Sequence, residues 1–129
     1  MKLTHVLLAT SLALTPAFVP AANAAALPHR PTITCPHGQD QRLVFRVPAK
    51  SGGLPTIDFD YPSKVTRFSF RDGNLLLVAM DDSDTSRVRV VVSAQLNKTR
   101  GTYDGQIVLD YGGHELQLDN TPVSCSVRR

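Results

Sequence analysis

From Arg42 onward the apolar residues recur at every second position, and no run of useful length repeats them at the three-to-four spacing of a helix. A period of two belongs to a strand with one face buried and one face wet. Leu43, Phe45 and Val47 share one face of the first clear run, with Arg42 and Arg46 on the other. Ile57, Phe59 and Tyr61 do the same and turn Asp58 and Asp60 outward. Val88, Val90, Val92, Ala94 and Leu96 form the longest stripe, set against Arg87, Arg89, Ser93 and Gln95. Tyr103, Gly105, Ile107, Leu109 and Tyr111 follow, then Leu116 and Leu118, and last Val123, Cys125 and Val127. Leu75 to Met80 is apolar at both parities, the pattern of a central strand covered on both sides.

The breaks between runs carry turn chemistry. Asp72-Gly73 and Gly112-Gly113 each stand where a two-residue hairpin turn needs residues that tolerate positive φ. Asp81 to Ser86 and Asn97 to Gly101 read as longer polar connections, and Ser51-Gly52-Gly53-Leu54-Pro55 as a loose loop. Pro122 suits an edge or the start of a final strand. The expected fold is all-β: an antiparallel β-sandwich or small barrel of about eight strands, closed by one disulfide.

The first residues predict export. Lys2 precedes an apolar stretch from Val6 to Leu14, Pro16 and Pro20 break it, and Ala22-Asn23-Ala24 offers small residues for cleavage. The expected organisation is a cleavable signal peptide over 1–24, a flexible N-terminus over 25–31 and a β domain over 32–129. The apolar stretch is too short to span a membrane, so no membrane anchor is expected, and the destination is the periplasm or the medium. There Cys35 and Cys125, the only cysteines, form the single possible intramolecular disulfide. Closing so long a loop is worth about 4–5 kcal/mol in the chain-entropy account. After cleavage, 13 Lys and Arg face 11 Asp and Glu, a net of +2 with neutral histidines. That mild charge, spread along the chain, argues against a nucleic-acid partner.

Catalytic signals are sparse. Asp58 and Asp60 point to one side of a run at a separation that glycoside hydrolysis can use, but no tryptophan is present to help build a sugar cleft. The simpler reading pairs them with Arg87 and Arg89. His29, His37 and His114 form no helical metal pair, and the chain holds no nucleophile elbow or phosphate loop. Asp81, Asp82 and Asp84 bring three carboxylates into four residues, as calcium loops do. No glycine marks the sharp bend of such a loop, and Ser93 stands where its closing glutamate would fall. The expectation is therefore no enzyme, no metal and no cofactor. The loop Asn97 to Tyr103, with Lys98, Arg100 and Tyr103, is the favoured contact for a protein partner in the cell envelope, because arginine and tyrosine anchor interfaces.

The layout resembles the small periplasmic lysozyme inhibitors of the membrane-bound c-type kind. Cys35 and Cys125 match their terminal cysteines, and Thr99-Arg100-Gly101-Thr102-Tyr103 is similar to their Ser-Gly-x-x-Tyr loop, with Tyr103 one residue closer to the glycine. The resemblance implies an exported β-barrel whose loop plugs the cleft of a wall hydrolase. The expected function is a monomeric, non-catalytic binding module, an inhibitor or immunity partner of a cell-wall hydrolase or toxin. The alternative is a subunit of an envelope or secretion assembly.

Overall fold

The computed structural model describes residues 12–17 and 30–129. The cleavage site expected near residue 24, and nearly all of the expected flexible N-terminus, lie outside the described residues, as does most of the leader. Seven strands form: β1 (Thr32–His37), β2 (Gln41–Arg46), β3 (Ser63–Arg71), β4 (Asn74–Asp81), β5 (Val88–Asn97), β6 (Thr102–Asp110) and β7 (Leu118–Arg128). No helix occurs among the described residues, and none is long and apolar enough to cross a membrane.

The strands make one antiparallel sheet in the order β2-β1-β7-β6-β5-β4-β3, curled into a half-barrel. β3 to β7 form an up-and-down meander, and the β1–β2 hairpin joins it beside β7. The inner face collects one side of every strand: Ile33, Cys35, Leu43, Leu75, Leu77, Val90, Val92, Ile107 and Leu109 are all at most 1 % exposed. Burying that apolar surface is the main term favouring the curl. Gly105 is required where β6 crosses β5, since a Cβ there would lie 2.0 Å from the Ser93 carbonyl oxygen.

Alternating strand direction places every turn at one of two ends. The first end holds the β1–β2 turn, the β4–β5 hairpin and the β6–β7 loop. The second holds the β3–β4 and β5–β6 turns, the start of β1 and the finish of β7. The two edges, β2 and β3, curl toward each other until Phe45 and Phe68 meet edge to face with centroids 5.9 Å apart. Residues 47–62 cross that open side as a strap, from the second end back to the first.

Four expectations change. Residues 57–61 alternate as expected, Ile57, Phe59 and Tyr61 half-buried and Asp58 and Asp60 exposed, but they pair with no strand. The two runs Leu116–Leu118 and Val123–Val127 are not separate strands, since β7 is continuous across Pro122 from Leu118. The missing N–H of Pro122 faces the β1 side, beyond Thr34↔Ser126 where that ladder stops, so no bond is lost. Gly112-Gly113 is not a tight turn: β6 and β7 pair at Asp110↔Leu118 and leave a loop of residues 111–117. Of its apolar residues β4 buries only Leu75, Leu77 and Ala79, and its other face, with Leu76, Val78 and Met80, is half-exposed. β1 is an added strand, its Ile33, Cys35 and His37 alternating inward.

Asp72-Gly73 does form the two-residue turn, both residues at positive φ. Cys35 and Cys125 are bonded. They stand opposite one another one step past the three-pair β1–β7 ladder, so the covalent bond extends the shortest seam of the sheet.

Candidate functional site

The first end is built around two arginines that the sequence pattern assigns to the outer face of β5. The β4–β5 register slips between Ala79↔Val90 and Met80↔Val88, leaving Arg89 as an extra residue in a bulge. The bulge re-aims its side chain inward, to 4 % exposure. Arg89 Nε donates to Asp81 Oδ2 at 2.6 Å, and Nη1 donates to the carbonyls of Asp110 at 3.1 Å and Gly112 at 2.7 Å. The guanidinium also lies 4.1 Å above the Tyr61 ring. Arg87 grips Asp110 through two bonds, 2.6 Å and 3.0 Å, and donates to the carbonyls of Gly112, Gly113 and Glu115.

Asp110 is fully buried and also accepts from the N–H groups of Gly112 and Gln117. Its bond from Arg87 comes first in holding its carboxyl far below the usual range, against the opposing cost of burial. The Arg87 pKa is raised by the same pair. The pairing expected between Asp58 or Asp60 and these arginines is thus replaced: the guanidiniums serve Asp81, Asp110 and the 111–117 backbone. Gly112 belongs to this clamp, because a Cβ there would lie 1.7 Å from the Glu115 oxygen.

Asp81 does not stand free for a cation. Oδ1 accepts from Ser83 N, Ser83 Oγ and Asp84 N, and Oδ2 from Arg89. Asp84 accepts from the Ser86 amide and hydroxyl. Among the described residues no cluster of three His, Cys, Asp or Glu is arranged to hold a metal.

Beside the clamp, His37, Gln41 and Arg42 face Asp58, Phe59 and Asp60 of the strap across a polar cleft of about 440 Å³. The Tyr111 hydroxyl lies 3.0 Å from His37 Nδ1 and 3.1 Å from Gln41 Oε1. A phenol has one proton, so donation to the amide oxygen leaves its lone pair to accept from His37 Nδ1–H. The Tyr61 hydroxyl donates to the Tyr111 carbonyl at 2.9 Å. Burial lowers the His37 pKa, opposed by Asp60 and Asp119, and raises that of Tyr111.

The favoured partner loop lies at the other end. Lys98 and Arg100 are exposed on the β5–β6 turn. The turn is held from within: Asn97 Oδ1 accepts from Thr99 N and Arg100 N, and Gly101 N donates to the Asn97 carbonyl. Asp104 accepts from Ser124, Thr102 and Asn97, in that order of effect, and its pKa falls to about 2. Tyr103 is half-buried, its ring 5.2 Å from that of Phe70.

Sequence order hides what the fold does with charge. Arg30 precedes β1, Arg46 ends β2, Lys50 follows it, and Arg71 closes β3 at the second end, joined by Lys98, Arg100, Arg128 and Arg129. Against these eight cations stand Asp72 and Asp104, a net of +6. The rest of the domain sets five cations against nine carboxylates, a net of −4. Basic residues that look dispersed along the chain are gathered, because each second-end turn contributes its own.

No family model matches the chain, and no curated protein and no solved structure matches it.

Proposed function

We propose that this protein is an exported, non-catalytic binding module whose basic second end engages an acidic protein of the cell envelope, such as a wall hydrolase or toxin that it restrains. The observation that carries the reading is the segregation of charge, +6 at the end that displays Lys98 and Arg100 against −4 over the rest of residues 30–129. A bipolar domain presents one end to an acidic surface and turns the other away, which fixes orientation and raises the encounter rate. The self-bonded turn supports the same reading, since a loop already held in shape loses little freedom on binding. The disulfide and the lack of a membrane-spanning helix among the described residues are compatible with a periplasmic or secreted location.

The test is capture from envelope extract by the full chain, purified as its own host exports it. The expected result is one acidic protein in 1:1 ratio, released by about 0.5 M salt as screening shortens the reach of charge. A Lys98→Glu, Arg100→Glu double variant is expected to weaken capture by about tenfold or more with an unchanged melting temperature. Unchanged capture by the variant sinks the reading. So does equal competition by duplex DNA, which would make the end a general polyanion surface.

The same charge pattern favours a second reading, a structural subunit in which the basic end of one copy meets the acidic end of the next. Head-to-tail contacts of that kind grow into rings or filaments. Sedimentation at low salt separates the two: concentration-dependent growth supports the subunit, and a sharp monomer the binder.

A further inference from the structure

The edge of β2 is an open backbone. Val47 N donates to the Pro31 carbonyl at 2.9 Å, which sets the phase of the β1–β2 ladder. In that phase Leu43 and Phe45 bond across to β1, so the N–H and C=O groups of Arg42, Val44 and Arg46 face away from the sheet. Among the described residues those groups have no backbone partner, because the facing strap bonds to neither sheet edge. β3, the other edge, is interrupted by a bulge between Val65 and Arg67, whereas the β2 register is unbroken.

Between β2 and strap residues 54–56 lies a groove of about 620 Å³. Val44 and Leu54 supply exposed apolar surface, 46 % and 48 %, on its two sides. Its charged residues are Arg30 and Arg46, and no carboxylate lines it. Neither arginine is in an ion pair among the described residues. Residues 1–29 contain no Asp or Glu, so the N-terminal stretch of this chain has no anion to offer. A second copy is a poor occupant too: antiparallel β2-to-β2 pairing about Val44 would set Arg42 against Arg46 twice.

We infer that the β2 edge receives an extended segment of the acidic partner as an added antiparallel strand. A carboxylate of that segment meets Arg46 and an apolar side chain covers Val44. A neutral residue lies opposite Arg42, whose cleft already holds Asp58 and Asp60. Main-chain bonds would supply affinity, and the alternating outward side chains specificity. The inference rests on the reading of the second end as the partner-binding end, and it names how that partner is held.

A fluorescent, end-capped peptide with the core Glu-Thr-Val-Thr-Thr tests it by anisotropy against the full chain. Its Glu, Val and last Thr present their N–H groups to β2, and the residues between point theirs away. N-methylation of the Val nitrogen is expected to weaken binding by about tenfold. The same change on the preceding Thr is expected to alter it by less than about twofold. Arg46→Glu, an exposed change, is expected to reverse the preference toward a peptide with Lys in place of Glu. Equal binding of the parent and the Val-methylated peptide overturns the inference, since charge alone would then hold the ligand. Absence of binding at millimolar peptide also overturns it. If envelope capture still depends on Lys98 and Arg100 in that case, the mode of holding fails and the proposed function stands.

Discussion

At the scale of single residues, the costliest arrangement is the clamp of Arg87, Arg89, Asp81 and Asp110. Buried charges are tolerated only when every donor and acceptor is met, and here they are: no buried side-chain nitrogen or oxygen among the described residues lacks a partner. Asp110→Asn would leave Arg87 facing a neutral amide at a buried site. Differential scanning calorimetry is expected to show a midpoint lower by on the order of 10–20 °C. The paired change Arg87→Met, Asp110→Leu is expected to recover part of that loss. The pH dependence follows from the same carboxylates. Asp81, Asp104 and Asp110 bind their protons less readily folded than unfolded, so their contribution is complete above the ordinary carboxylate range. It is lost as pH falls from about 4 toward 2. His37, also lowered, adds an earlier decline below pH 6.5, where the unfolded chain takes the proton first. Chemical denaturation at pH 7 and pH 5 is expected to show a fall in stability that is smaller in His37→Gln; an identical fall in both proteins contradicts the assignment.

At the scale of elements, the strap shows the difference between a strand pattern and a strand. Ile57 and Phe59 pack against the core with the alternation that the sequence displays, and Tyr61 lies under the Arg89 guanidinium. What they lack is a neighbour in register, and no property of residues 47–62 alone reveals that. β7 teaches the converse. Pro122 reads as a break, yet the strand runs through it because the side that lost its donor has no partner strand at that level. The disulfide belongs to this scale as well. β1 meets β7 through only three register pairs, and Cys35–Cys125 makes the fourth contact covalent. Replacing both cysteines by alanine is expected to cost about 2–5 kcal/mol by urea unfolding. Hydrogen exchange in that variant is expected to quicken first across the β1–β2 hairpin, while β4, β5 and β6 stay protected. Uniform loss of protection would mean that the bridge supports the whole sheet equally.

At the scale of the whole molecule, charge is organised by topology. An up-and-down sheet sends every second turn to the same end, so cations 20 or 30 residues apart become neighbours. That is how Arg71, Lys98 and Arg128 come to share one end. A net charge of only +2 over residues 30–129 conceals this, and so the Lys98–Arg100 loop looks like an isolated pair when read along the chain. Tyr103, by contrast, sits two residues past Gly101 in sequence but against Phe70 in space. Local periodicity was enough to establish the all-β class, the inward residues of β2 and the middle of β5 and β6, and the Asp72-Gly73 turn, because side-chain alternation and positive φ are properties of a few adjacent residues. The presence of just two cysteines was enough to name the bridge. The tertiary structure alone decided that Arg89 turns inward, that residues 57–61 form a strap and that β2 keeps an open edge beside a basic end. Each of these depends on which distant backbone lies alongside, and pairing between remote segments is settled by the burial of the whole inner face at once.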